Sequence, residues 1–146
     1  MSNLQMDEDR FHIEVSKALS SCQLVEEVLK LYISESYELA RKCIDGKLVF
    51  KLSGEDVEDA SLERLITTFR KLTDNEKLVA KLNKFKSERN YLSHKAIAHC
   101  LDPMGNLDWG YAGELKKRLD RIQQDSHDLR LEIHEEAKTF RAHLYF

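Results

Sequence analysis

Proline occurs once and glycine only five times in the 146 residues. Turn formers this scarce leave few connections and favour a small number of long elements. Long apolar runs are missing as well. No stretch approaches the roughly 20 apolar residues that span a bilayer, so no membrane partner is expected. Met1 to Arg10 carries three acids and no apolar run, so no secretory signal is expected and the expected location is cytoplasmic. Cysteine is sparse: Cys22, Cys43 and Cys100 are odd in number and lack CxxC spacing. Cys22 and Cys43 fall on apolar helical stripes, where cysteine reads as a small buried hydrophobe in a reducing compartment.

What the chain has in quantity is charge. Charged residues make up 34% of it, with Leu, Lys and Glu common, the composition of long amphipathic helices. The length suits one domain, residues 1–146, with a core that needs no metal or disulfide staple. A formal net charge of −3 conceals an uneven distribution. Residues 1–69 hold 8 basic and 14 acidic side chains, and residues 96–146 hold 7 and 9. Residues 70–95 hold 8 basic and only 3 acidic ones. That middle block is the part of the chain suited to a phosphate backbone.

Residues 7–45 read as one long helix. Phe11, Val15, Ala18, Cys22, Val25, Leu29, Tyr32, Ser36, Leu39 and Cys43 recur in steps of four and three, and Leu19, Val28, Ile33 and Ile44 widen the stripe. Gly46 is placed to end it, since glycine accepts the left-handed conformation. Leu48 to Leu52 reads as a connector or short strand, and Ser53 to Ala60 as loop or a ragged turn. A second helix is predicted over Ser61 to Leu72, with Leu62, Leu65, Ile66, Phe69 and Leu72 inward. Thr73-Asp74-Asn75-Glu76 matches a capping box and predicts the start of a third helix, whose stripe is Leu78, Leu82, Phe85, Arg89, Leu92 and Ala96. Asp102 to Asn106 breaks the chain. A fourth helix follows over about 110–144, through Leu115, Leu119, Ile122, Ser126, Leu129, Ile133, Ala137, Phe140 and Leu144.

These elements predict an all-α, up-down four-helix bundle with long first and last helices and a short second helix. The short helix cannot cover its neighbours fully. An exposed apolar strip is therefore expected beside the third helix, inviting a partner or a second copy.

Arg89 is the anomaly, because it occupies a seam position between Phe85 and Leu92. A buried guanidinium needs a carboxylate, a phosphate or water, and Glu35 or Glu38 on the first helix would serve a purely structural pairing. Asn90 and His94 lie four apart and share a helix face, within the swing of the Arg89 side chain. A neutral imidazole can take a proton from a ribose 2′-hydroxyl, while a guanidinium fork stabilises charge growing on the attacked phosphate. No metal or cofactor is required for such a reaction, and none is expected.

Arg89-Asn90-Tyr91-Leu92-Ser93-His94 resembles the motif of HEPN-family proteins: an Arg, then a polar residue that is usually Asn, Asp or His, and a His separated from the Arg by four positions. The resemblance implies an all-α bundle with the motif on its third main helix. It implies a homodimer whose two motifs line one cleft, and metal-independent cleavage of single-stranded RNA. Arg89 would bind phosphate, His94 would act in acid/base chemistry, and Asn90 would orient the site. Family membership also implies a toxin or defence role, with an antitoxin protein as a partner. HEPN toxins neutralised by a nucleotidyltransferase often carry a Tyr two positions after the His; here that position is Ala96. The alternative is a catalytically silent HEPN-like bundle that binds a protein or nucleotide.

Lys77, Lys81 and Lys84 share a helical face, with Lys86 and Lys95 nearby; they either guide RNA toward Arg89 or form a solvated face. Tyr91 either stacks a base or makes a dimer contact. His94 and His99 are five apart, which sets their rings roughly 140° apart on a helix and makes a poor metal pair. His127 and His134 read as surface residues. Trp109 and Tyr111, ahead of the last helix, either stack a base or staple its start.

Overall fold

A computed structural model describes residues 8–99, 103–106 and 109–145. The first stripe folds as α1, Glu8–Ile44, with acids Glu8 and Asp9 in its first turn and bases Arg41 and Lys42 in its last, each opposing the helix dipole. Asp45 and Gly46 both adopt positive φ, 47° and 75°, and terminate it. The connector beyond contains no strand. It leads into one 3-10 turn, Gly54–Val57, whose Val57 is buried against α1.

Ser61 caps α2, Leu62–Arg70, by accepting the Arg64 N–H, and Leu62, Leu65, Ile66 and Phe69 point into the core. The third helix does not start with the expected capping box. Asn75, not Thr73, caps α3, Glu76–His94, by accepting the Leu78 N–H at 3.1 Å. Thr73 is drawn elsewhere: its hydroxyl accepts from Asn75 N–H and donates to Glu136 at 3.0 Å. Asn75 donates to the same carboxylate at 2.7 Å, so the start of α3 is tied to the last helix. At Lys95 the helix breaks (φ −128°, ψ −24°), and the four-residue α4, Ala96–His99, follows. Ala96 is buried, but on α4 instead of at the end of α3. The last helix is α5, Trp109–Tyr145, so Trp109 and Tyr111 belong to its first turn.

Cross-helix contacts fix the directions. Ser126 donates to the Ser21 carbonyl and Arg141 grips Glu35, so α1 and α5 run parallel. Glu88 meets Arg118, Lys81 meets Glu132 and Asn75 meets Glu136, so α3 runs against both. The three longer helices therefore alternate up, down, up, with short α2 inserted after the first. Tyr32 of α1 joins α2 and α5. Its ring meets Phe69 of α2 and Phe140 of α5 edge-on at 4.7 and 5.0 Å, and its hydroxyl donates to the Leu72 carbonyl.

The α1 seam is buried from Phe11 to Tyr32 and then fades: Ser36 and Leu39 are half-buried and Cys43 is exposed. The Cys43 expectation is overturned because α3 begins level with Tyr32, leaving the upper part of α1 only α5 and the connector to pack against. Exposed large aliphatic side chains occur on α1 (Ile13, Leu24, Leu31), the connector (Leu48, Val49, Leu52) and α5 (Leu131). None lies on α2 or α3; Leu131 lines the groove beside α3, and the other exposed aliphatic groups lie on α1 and the connector. Among the described residues, no helix is long and apolar enough to cross a membrane.

Candidate functional site

The lower half of α3 gathers the candidate residues. Phe85 and Leu92 are buried on either side of Arg89, which leaves the Arg89 side chain at the edge of the α1–α3 contact, 33% exposed. Its Nε lies 3.4 Å from Glu26 Oε1, and Nη1 donates to Ser93 at 3.0 Å, one turn along the same helix. Glu26 Oε1 is buried and accepts no hydrogen bond, so the contact is an ion pair without hydrogen-bond alignment. The acid is therefore Glu26, not Glu35 or Glu38. Because α3 starts beside Tyr32 and descends, Arg89 is carried past Glu35 to the level of Glu26. Glu35 is occupied by Arg141.

Asn90 and His94 are both exposed on the same face of α3. Neither side chain makes a hydrogen bond or ion pair with a described residue. His94 is the last residue of the helix, with the Lys95 break immediately after it. Tyr91 is half-buried. The Arg118 guanidinium of α5 stacks on its ring at 3.6 Å and grips Glu88 with two hydrogen bonds, 2.7 and 2.9 Å. The Glu88 carboxylate raises the Arg118 pKa further, so this cation does not titrate. One face of Tyr91 is thus covered by Arg118.

Cys22 is buried beneath this cluster. Burial pushes its thiol up to about 12; Arg89 works against that, while Glu26 and Glu88 add to it. The site therefore contains two acid–base pairs, Glu26 with Arg89 and Glu88 with Arg118, at the junction of α1, α3 and α5. Sequence reasoning identified Arg89, Asn90 and His94 but missed Glu26, Glu88 and Arg118. Their only signal was charge at the margins of apolar stripes, and selecting them needs the helix register.

The lysines divide into two groups. Lys86 is half-buried and Lys95 exposed, both close in sequence to the motif. Lys77, Lys81 and Lys84 are exposed on the upper half of α3. Lys81 pairs with Glu132 at 2.6 Å. Lys81 and Lys84 form one wall of a groove of about 710 Å³ between α3 and α5, whose other wall holds Asp125, Asp128 and Glu132. That groove carries both signs of charge. His127 is exposed, whereas His134 is half-buried with its ring Nδ1 3.3 Å from Arg141. Among the described residues, no three His, Cys, Asp or Glu side chains are grouped to hold a metal ion; Cys100 lies outside those residues. Comparison with family models, with curated proteins and with solved structures finds no match for this chain.

Proposed function

We propose that this chain is a HEPN-like, metal-independent endoribonuclease, acting as a cytoplasmic homodimer in a toxin or defence role. The observation that carries the reading is the placement of Arg89, Asn90 and His94. They lie within six residues of one helix, all reach solvent, and the two polar groups beside Arg89 are unengaged by described residues. In this reading Arg89 holds a phosphate of single-stranded RNA. The ribose 2′-hydroxyl loses its proton to an imidazole and its oxygen attacks phosphorus. The bond to the 5′-oxygen breaks, and that oxygen leaves as a hydroxyl after receiving a proton. The products are a 2′,3′-cyclic phosphate and a 5′-hydroxyl, and no metal enters the balance. A second copy supplies a second His94, so that one imidazole accepts a proton while the other donates. The dimer would bury more than about 1,000 Å².

The Glu26–Arg89 ion pair favours a second reading: a catalytically silent bundle of the same kind, binding a protein such as an antitoxin, or a nucleotide. Purified protein incubated with varied single-stranded RNAs in excess EDTA separates the two. Cleavage with 2′,3′-cyclic ends, abolished in His94→Ala and absent on DNA, supports the nuclease. RNAs left intact by wild-type protein would move the reading to the silent bundle.

A further inference from the structure

Past Ile44 the chain leaves α1, turns through Asp45 and Gly46, and returns alongside it. Arg41 donates to the Leu52 carbonyl at 2.7 Å, which sets Leu52 level with the last turns of α1. Gly54 packs so closely on α1 that a Cβ there would sit 2.6 Å from Ser34 Oγ. Residues 45–51 are therefore the apex at one end of the bundle, and Lys42 ties the end of α5 beside them through the Leu144 carbonyl. Phe50 pins the loop: its half-buried ring meets Tyr37 edge-on at 6.2 Å and lies 5.9 Å from the Arg41 guanidinium.

With Phe50 turned in, its neighbours face water. Leu48 is 65% exposed, Val49 75% and Leu52 48%. Single exposed aliphatic side chains are ordinary on a protein surface, but three within five positions of an anchored loop form a patch. At the apex itself cations outnumber acids, while the acids Glu38, Glu55 and Asp56 flank it on the side toward the bundle. Arg41, Lys42, Lys47 and Lys51 are exposed, and Asp45 is the one acid among residues 39–54.

We propose that this apex is a docking surface for an anionic lipid bilayer. Leu48 and Val49 enter the interfacial layer, Leu52 rests at its edge, and Arg41, Lys47 and Lys51 meet the phosphate headgroups. A bilayer fits better than a protein groove because the patch lies on the turn at one end of the bundle, where Leu48 and Val49 are mostly exposed. Its cations flank the aliphatic groups as headgroups flank acyl chains. The contact is peripheral, since no described helix can span a membrane, and with so few apolar groups it is weak and depends on lipid charge. It is independent of the proposed nuclease site at the lower half of α3.

Flotation of the full chain with vesicles tests it. With vesicles containing about 30 mol % phosphatidylserine in phosphatidylcholine, the protein should float with the lipid, and with phosphatidylcholine alone it should not. Raising salt from about 50 to about 300 mM should release most of it. Leu48→Asp/Val49→Asp and Lys47→Glu/Lys51→Glu should each lower the bound fraction about tenfold. All four residues are exposed, so circular dichroism and melting should match wild type and separate lost docking from lost folding. Wild-type protein that fails to float on anionic vesicles overturns the proposal and leaves a protein partner as the occupant. Equal flotation of the double-Asp variant would also overturn it.

Discussion

Arg89 Nε and Glu26 Oε1 face each other 3.4 Å apart across the α1–α3 contact, and the carboxylate oxygen is buried without a hydrogen bond. The pair balances charge at the margin of the core while leaving the rest of the guanidinium able to turn outward. Replacing Glu26 by Gln should cost only about 1 kcal/mol, because Arg89 is partly solvated and can rehydrate. The same change removes the anion nearest to Arg89. If Arg89 holds an RNA phosphate, Glu26→Gln should tighten RNA binding several-fold in a filter-binding assay at low salt. Unchanged affinity in that variant would argue that RNA does not reach Arg89.

Arg141 and Glu35 make the opposite kind of pair. Two hydrogen bonds of 2.9 and 3.0 Å join them, and the Glu35 side chain is only 7% exposed. Arg141→Met strands a carboxylate in the core and should cost about 3 kcal/mol in urea unfolding. Glu35→Leu/Arg141→Met should recover most of that loss, since an apolar pair leaves no buried charge. Lys138 and Glu135 are each 69% exposed, and Lys138→Ala should shift stability by less than about 0.5 kcal/mol. Similar losses from Arg141→Met and Lys138→Ala would show that burial does not set the difference.

Cys22 and Cys43 should respond oppositely to alkylation. The nucleophile is the thiolate, and burial holds the Cys22 thiol protonated up to about pH 12, while Cys43 is exposed. At pH 8, iodoacetamide should modify Cys43 and spare Cys22 until the chain is unfolded, as peptide mass spectrometry will show. The linkage has a definite sign. An unfolded thiol ionises from about pH 9 and the folded one does not, so this contribution to stability is complete below pH 9 and fades between 9 and 12. Cys22→Ala should lack that portion of the alkaline slope. Equal slopes would place the Cys22 thiol in contact with solvent.

Much of the fold was legible because periodicity reports burial directly. The stripe from Phe11 to Tyr32 and that from Leu115 to Ala137 are the two faces of the α1–α5 contact. What escaped depended on register between helices. Nothing local says that Arg89 meets Glu26, or that α3 begins level with Tyr32 and leaves Cys43 uncovered. The capping box at Thr73 was a sound local pattern, displaced by a distant carboxylate, Glu136, that both Thr73 and Asn75 reach. Arg89 itself was legible for a physical reason, since a cation in an apolar stripe must find a partner.

The decisive prediction concerns His94, Arg89 and Lys84 compared in one assay. If the chain cleaves RNA in EDTA, His94→Ala should lower kcat by roughly 10²–10⁴-fold, the range for a lost general acid or base. It should leave RNA affinity nearly unchanged, because His94 is exposed and holds up no packing. Arg89→Ala should lower kcat by about 10²-fold or more, since the charge opposite the developing phosphorane is lost. It should weaken RNA binding as well, and Cys22 should become no more reactive than burial alone allows. Lys84→Ala should act on binding only. One lost phosphate contact would flatten the slope of log affinity against log salt by about 0.7, with kcat intact. Lys81→Ala should do less than Lys84→Ala, because Lys81 already spends its charge on Glu132 at 2.6 Å. These variants distinguish chemistry from attraction through separate readouts, kcat for one and the salt slope for the other. A His94→Ala protein that cleaves as fast as wild type would assign the chemistry to another part of the surface, whatever the lysines do.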